Sequence, residues 1–486
     1  MAIGKLHVLG MGKIFRIMRS VQKHGYTLMA LLDSVKDNSP DAFIKDDTGQ
    51  LAYNELYEQS VDLAYHLNKK YSIKSKSKVA LVSSNSLFFV KSLFAVSGLG
   101  ADIYLLNPGQ KKDYFDGFLA VQKIDLIIGE ATVSNNPGFY EIPFFCDEII
   151  KMPAGKGLPD ILKRKKSNII ILSSGSKGKP KAEKRKVGVI SYLNPLIDIM
   201  ERLRLKQNKS VLISVPVFHG YGLAALFMAV FMGQKIRLAK KFDAKKTLQI
   251  LKEEKPDCWI AVPLMMQKVY GLEGAASSPL KSIISGGDVL PAGIVANIHK
   301  NTQAKVYNMY GTSETGVCTI AAHQDLLKHP DTIGRAITGV STRIENAGGV
   351  VVNTGEVGAL LVKCGWSSDS SGDEYVPTGD LVSRNKDGYY FYKGRQDDLM
   401  VIGGENVYPI ELENVIYKNP DIKWVKVKSI ADENQVTKIH ADVVVRPQTS
   451  FSETAFTSWL AGEVPGYMIP KSFTVLDEEP IIKLMQ

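Results

Sequence analysis

Short apolar runs rich in β-branched residues recur along this chain, and between them apolar positions return at helical spacing. Runs at 79–82, 126–128, 169–172, 211–215, 259–262, 282–284 and 305–308 predict strands. From Tyr53 onward they alternate with helical patterns. That argues for an α/β architecture of parallel-rich sheets with helices on their faces. Ligands of such sheets bind beyond the carboxyl ends of the strands. Residues 335–395 change to short strands, many glycines and few helical periods, the pattern of a small β-barrel or antiparallel subdomain. After Arg395 the pattern resets. Tyr408-Pro409 opens a helix, strands are expected at 424–429 and 440–445, a helix at 452–460 and a strand at 472–476. The expected division is a large N-terminal domain, 1–395, of two α/β subdomains plus the small barrel, and a small α+β domain, 396–486.

Residues 1–30 carry Met11, Ile14, Phe15, Met18 and Val21 at helical spacing, with Lys13, Arg16, Arg19 and Lys23 between them. This basic amphipathic helix either packs on its own domain, the commoner fate of such helices, or makes peripheral contact with a membrane. The longest apolar stretch, 223–232, is too short to span a bilayer. The N-terminus lacks the apolar core and cleavage site of a signal peptide. A length of 486 residues exceeds one small core, and 60 Lys and Arg against 50 Asp and Glu leave a net charge of +10. That balance favours polyanionic partners: nucleotides, an acidic carrier protein or an anionic membrane. Nucleic acid is set aside for want of zinc-ligand spacing, an RNP-like segment or a basic zipper. Cys146, Cys258, Cys318 and Cys364 are scattered with no C-x-x-C pair, which fits free, buried thiols and a cytoplasmic location. The basic cluster Lys163-Arg164-Lys165-Lys166 reads as the end of a surface helix or a linker.

The candidate chemistry begins where the apolar run Ile169-Ile170-Ile171-Leu172 enters Ser173-Ser174-Gly175-Ser176-Lys177-Gly178-Lys179-Pro180-Lys181. Small residues let backbone N–H groups approach an anion, hydroxyls donate and lysines supply charge, so a phosphate is the natural guest. A solvated basic turn is the plainer alternative. The spacing is not that of a Walker loop, whose second glycine would fall at Pro180. Further stretches follow in order: Pro216-Val217-Phe218-His219-Gly220-Tyr221-Gly222, Ser285-Gly286-Gly287-Asp288, Asn308-Met309-Tyr310-Gly311-Thr312-Ser313-Glu314, Pro377-Thr378-Gly379-Asp380, Gly394-Arg395-Gln396-Asp397-Asp398, and Gly403-Gly404-Glu405-Asn406-Val407-Tyr408-Pro409.

With these motifs in this order, the chain from about Tyr53 to Pro480 resembles the acyl-adenylate-forming superfamily of AMP-binding enzymes, most like fatty-acyl-CoA ligases. The resemblance implies a ligase that activates a fatty or other hydrophobic carboxylic acid with ATP and Mg²⁺ and transfers it to CoA. Loading an acidic acyl carrier protein is the alternative, and a degenerate, non-catalytic nucleotide- or acyl-binding relative is another. It implies that Ser174, Gly175, Ser176, Lys177, Gly178, Lys179 and Lys181 hold the phosphates, with Ser313 donating to them, and that Glu314 holds Mg²⁺. Tyr310 would face adenine, Gly286, Gly287, Asp288 and Asn308 would border it, and Asp380, Tyr392 and Arg395 would attend the ribose. His219 would gate the acyl pocket, with Gly311 and Thr312 at its carboxylate end. Asp397 would be the hinge of a mobile small domain, and Gly403 and Gly404 would border the thiol tunnel. Lys177 stands where the family has Ser or Thr, and Ala182 where it has Gly. The closing Gly-Lys of the family reads Met485-Gln486 here: either Lys483 substitutes as the catalytic lysine, the chain is truncated or divergent at this point, or adenylation is impaired.

Overall fold

The computed structural model describes residues 10–109, 121–129, 160–174, 180–184, 189–365, 374–431, 437–446, 449 and 451–477. Its centre is a 13-stranded sheet. The strands Ser210–Ile213, Cys258–Ala261, Ser282–Gly286 and Lys305–Thr312 run parallel side by side. Val211 pairs with Cys258, Cys258 with Ser282 and Ser282 with Lys305, so these strands start in line and their carboxyl ends share one edge. Strands covered by helices on both faces read as unbroken apolar runs, which is why the sequence marks them so clearly. Cys258–Ala261 is buried throughout, and the Trp259 indole N–H finds its partner in Ser214 Oγ at 2.9 Å.

The antiparallel strands of the barrel-like region continue this ladder. Gly316–Ala321 folds back on Lys305–Thr312, and Thr332–Ala336, Tyr390–Arg395, Val376–Arg384, Val357–Cys364 and Val340–Glu345 follow in spatial order. A second, 5-stranded sheet holds Leu126–Gly129, Lys78–Val82, Asp102–Leu106 and Ile169–Ser174 in parallel, closed by the antiparallel Pro180–Lys184. Towards the C-terminus, Ile422–Ala431, Thr437–Val445 and Ser472–Val475 form a 3-stranded sheet with the helices Pro409–Ile416 and Glu453–Ala461. The Ser452 hydroxyl caps the latter helix by accepting from the Ala455 N–H at 3.3 Å. Its core, from Met400 and Val407 to Phe456 and Leu460, shares no residue with the large core that ends at Tyr390. Between the two cores lies one exposed turn, Gln396–Asp398.

The amphipathic N-terminal segment forms the helix Met11–His24 and packs on its own protein, against the helix Leu28–Val35. Cys258, Cys318 and Cys364 are free and buried, as expected, while Cys146 lies outside the described residues. No helix among the described residues is long and apolar enough to cross a membrane. The apolar stretch at 223–232 belongs instead to the helix Gly220–Met232, which begins directly after His219. Gly222 allows that start: a Cβ there would stand 2.2 Å from the Pro216 carbonyl oxygen. Gly222→Ala should therefore destabilise the fold by about 1–3 kcal/mol through overpacking. A fall in the denaturant midpoint would register it, and an unchanged midpoint would mean that the Pro216 loop yields freely.

Candidate active site

The parallel strand Lys305–Thr312 delivers Tyr310 to the carboxyl edge of the large sheet, where its hydroxyl donates to Asp380 Oδ2 at 2.6 Å. Asp380 comes from Val376–Arg384 and stands opposite Arg395 in the antiparallel register. The Arg395 guanidinium donates to Asp380 Oδ1 at 3.0 Å and to the Thr378 carbonyl at 3.2 Å. Burial pushes the Asp380 carboxyl above the ordinary carboxylate range, although the Tyr310 hydrogen bond and the Arg395 charge pull it back, and Glu314 adds a further upward push. Burial also raises the Tyr310 and Tyr392 hydroxyls, and in both cases the negative charge of Asp380 reinforces the shift. Tyr310 thus meets Asp380, Tyr392 and Arg395 in one cluster across a separation of 70 residues between Tyr310 and Asp380.

Next to it, Ser282–Gly286 ends in Gly286 and Gly287. One face of this turn is covered by Tyr221, whose ring would lie 3.1 Å from a Cβ on Gly286. The Tyr221 hydroxyl donates to the Ile284 carbonyl at 2.7 Å, which fixes the ring there. Sequence reasoning gave Tyr221 no role. Its signal was its place two residues past His219, at the head of a helix. Asp288 is exposed and accepts from the Val289 N–H at 2.8 Å. Asn308 is buried, its amide nitrogen lies 3.4 Å from the Thr332 carbonyl, and its Oδ1 has no partner among the described residues. A buried acceptor without a donor fits a ligand that brings one, such as an exocyclic amine.

Lys305–Thr312 and Gly316–Ala321 turn through Ser313 and Glu314, with a register shift between Tyr310 and Gly311. The Thr312 and Thr315 hydroxyls are 2.9 Å apart, and Glu314 is half-buried. Carboxylate and hydroxyl oxygens are the hard donors that Mg²⁺ takes, so this turn fits that ion. His219 precedes the helix Gly220–Met232, its ring centroid 4.6 Å from that of Phe218. Burial lowers its pKa, which favours the neutral imidazole.

Ile171 is the link to the second sheet: a Cβ on Gly220 would meet its Cδ1 at 3.8 Å. Ile169–Ser174 therefore approaches the large sheet beside His219, and it pairs with Pro180–Lys184 with Ser174 opposite Pro180 and Ser173 opposite Lys181. Gly175, Ser176, Lys177, Gly178 and Lys179 fall on the connection between these strands and lie outside the described residues, as do Lys483 and the side chains of Ser174 and Lys181. Asp397 sits in the exposed turn between the two cores. Gly403 and Gly404 form the tip of the hairpin Met400–Ile402/Glu405–Val407, and a Cβ on either meets nothing within 4 Å. They point into solvent and are not brought to the Asp380 cluster.

With this geometry in view, comparisons with known proteins place the chain. A family model described as AMP-binding enzyme matches residues 32–366. An uncharacterized acyl–CoA ligase of Bacillus subtilis (strain 168) is 26% identical over 465 residues, covering 93% of this chain and 95% of that protein. A 2-succinylbenzoate–CoA ligase of Bacillus licheniformis is 24% identical over 447 residues, covering 89% and 92%. Among solved structures, an anthranilate CoA ligase in complex with anthranoyl-AMP superposes with a TM-score of 0.82 at 19% identity, covering 94% of each chain. Acyl-CoA ligases of the AMP-binding type form an acyl-adenylate and use ATP, Mg²⁺ and CoA as co-substrate, and the comparisons support that activity here. The chain belongs to the family of AMP-binding enzymes.

Proposed function

We propose that this protein activates a hydrophobic carboxylic acid as its acyl-adenylate and transfers the acyl group to CoA. The observation that carries the reading is the bonded cluster of Tyr310, Asp380 and Arg395 at the carboxyl edge of the large sheet. A carboxylate held rigid by two donors keeps lone pairs for the two hydroxyls of a ribose. Tyr310 and the Gly286-Gly287 turn would enclose the base, and Asn308 Oδ1 would accept from its amine. In the first step a carboxylate oxygen of the acid bonds to the α-phosphorus and pyrophosphate leaves. In the second, the CoA thiol sulfur bonds to the carbonyl carbon and AMP leaves. Anions meet in both, so positive charge and N–H donors are the main requirement. Ser174, Gly175, Ser176, Lys177, Gly178, Lys179 and Lys181 would supply them on the phosphate side, with Ser313. Glu314 and the Thr312 hydroxyl would hold Mg²⁺, which supplies further charge neutralisation when bound.

His219, neutral and half-buried, would position the acid rather than ionise. The apolar helix behind it favours a hydrophobic substrate, and the aromatic acids in the relatives' names make aryl acids the first choice over long-chain fatty acids. Residues 1–395 and 396–486 would act as two domains, the smaller one turning about Asp397 to bring Gly403 and Gly404 to the thiol. Lys483 would serve the first step from the small domain.

Carboxylate-dependent ATP–pyrophosphate exchange, run over a panel from acetate through aryl to long-chain acids, tests the first step. Thioester formation with CoA or a purified carrier protein tests the second. Failure of exchange with every acid, with nucleotide still bound, would favour a non-catalytic relative.

Asp380→Ala should weaken ATP binding by about ten- to a hundredfold, the loss of charged hydrogen bonds worth roughly 1.5–3 kcal/mol. Unchanged affinity by calorimetry would remove Asp380 from the nucleotide site. Because ligand hydroxyls need the ionised carboxylate as acceptor, ATP affinity should fall as pH drops through the raised Asp380 pKa, above the ordinary value of about 3.9. Asp380→Asn should flatten that acid limb. Lys483→Ala should slow exchange by about a hundred- to a thousandfold while transfer from preformed acyl-adenylate to CoA persists. Equal losses in both steps would assign Lys483 a different role.

A further inference from the structure

The helix Met11–His24 carries apolar side chains on two sides: Ile14 packs on the large core with Ile17 and Val21 half-buried, and a second set faces water. Its buried residues are Ser20 and His24, both polar. Ser20 Oγ donates to Asp33 Oδ2 at 2.8 Å, Lys23 Nζ to Asp33 Oδ1 at 2.9 Å, and the Tyr57 hydroxyl lies 3.2 Å from His24 Nε2. The side chains turned outward are Met11, Phe15 and Met18, which are 77%, 69% and 59% exposed. They stand at i, i+4 and i+7 and so form one stripe. A helix that merely covers a core points such a stripe inward. Here polar anchors hold the helix with the stripe in water.

Positive charge is assembled at the C-terminal end of the same helix. Gly25–Tyr26 pairs in parallel with Lys165–Lys166, and the Arg164 N–H donates to the Lys23 carbonyl at 3.2 Å. Gly25 is required for that approach: its φ is +76°, and a Cβ would stand 2.1 Å from the Lys165 carbonyl oxygen. The pairing places the exposed Lys163, Arg164 and Lys166, expected from sequence as the end of a surface helix or a linker, beside the helix, with Arg19 and the half-exposed ring of Tyr26 on the same end. On the inner side of the helix Ile14 packs against the large core, and the Lys13 Nζ lies 4.1 Å from the Phe231 ring centroid on the helix Gly220–Met232.

We infer that this face docks on an anionic phospholipid surface, Met11, Phe15 and Met18 entering the acyl boundary and Arg19, Lys163, Arg164 and Lys166 meeting the headgroups. An apolar stripe with cations grouped at one end is complementary to that surface in both respects, whereas a neutral protein groove would leave the cations unmatched. The ligase reading is not needed for this inference, and its failure would leave that reading untouched.

The test is co-sedimentation of the full chain with vesicles of phosphatidylcholine alone and with about a quarter phosphatidylglycerol. The anionic vesicles should retain roughly tenfold more protein, and about 0.5 M salt should remove most of the difference. The double variant F15E/M18E should lose retention by a similar factor with its thermal midpoint unchanged, since both side chains are exposed. The triple variant K163E/R164E/K166E should abolish the preference for anionic vesicles. Equal retention on both vesicle types, no retention on either, or wild-type retention by F15E/M18E would each overturn the inference. A concentration-dependent dimer, seen by sedimentation velocity and lost in F15E/M18E, would overturn it as well, by assigning the stripe to a second copy of the chain.

Discussion

At the carboxyl edge of the large sheet a buried carboxylate is bonded twice, by Tyr310 from a parallel strand and by Arg395 from an antiparallel one. Burying an ionised group is costly unless partners replace its water, and removing either partner would leave that cost standing. The two donors therefore fix more than Asp380. Tyr310 ties the parallel half of the sheet to its antiparallel wing, and Arg395 is the last residue of its strand before the exposed turn Gln396–Asp398. Any ligand that draws on the Asp380 carboxylate also redistributes the hold on Arg395, one residue from the passage into the second core. The ion pair of 3.0 Å between Asp380 and Arg395 joins the site to the inter-core turn.

The contacts across the seam between the two cores are of a different kind. Lys393 Nζ meets Glu411 Oε1 at 2.5 Å, and Gln267 Nε2 donates to the Lys423 carbonyl at 3.0 Å. The positive charge of Lys426 bears on Asp288 from the far side of the seam. These are polar contacts at partly exposed positions, and such pairs contribute about 0–1 kcal/mol each. Among the described residues no apolar cluster spans the seam. A seam of this composition can be exchanged for another at little cost, whereas separating strands within either sheet would expose buried apolar surface.

How far the sequence could be read follows from what each feature needs. The parallel strands were legible because a strand covered on both faces must be apolar throughout, as Cys258–Ala261 is. Their loops were legible because close approach leaves room only for small residues, as at Gly286-Gly287. The cluster of Tyr310, Asp380 and Arg395 was reached through the order of motifs, since nothing in the spacing of residues 310, 380 and 395 says that an antiparallel register sets Asp380 opposite Arg395. The role of Tyr221 stayed hidden because a tyrosine at a helix start has many possible neighbours, and only the folded turn shows it against Gly286. Gly403 and Gly404 show a limit of another sort. A glycine pair records that a tip can turn sharply, and it holds no information about which surface the tip faces in one arrangement of the two cores.

The N-terminal helix sharpens that last distinction. Periodicity identified its apolar stripe, but a stripe is a property of the helix alone, and its direction in the protein is decided by the opposite face. Had residues 20 and 24 been leucines, the hydrophobic effect would have favoured rolling whichever apolar face was larger onto the core. Ser20 and His24 instead find Asp33 and Tyr57, and bonds to a charged carboxylate on a neighbouring helix fix rotation more sharply than non-directional burial does. The Gly25–Lys165 pairing then fixes the end of the helix, because no residue with a Cβ could lie so close to that strand. Two local polar constraints thus set the rotation of Met11–His24, with Ile14 packed on the core and Met11, Phe15 and Met18 left in water.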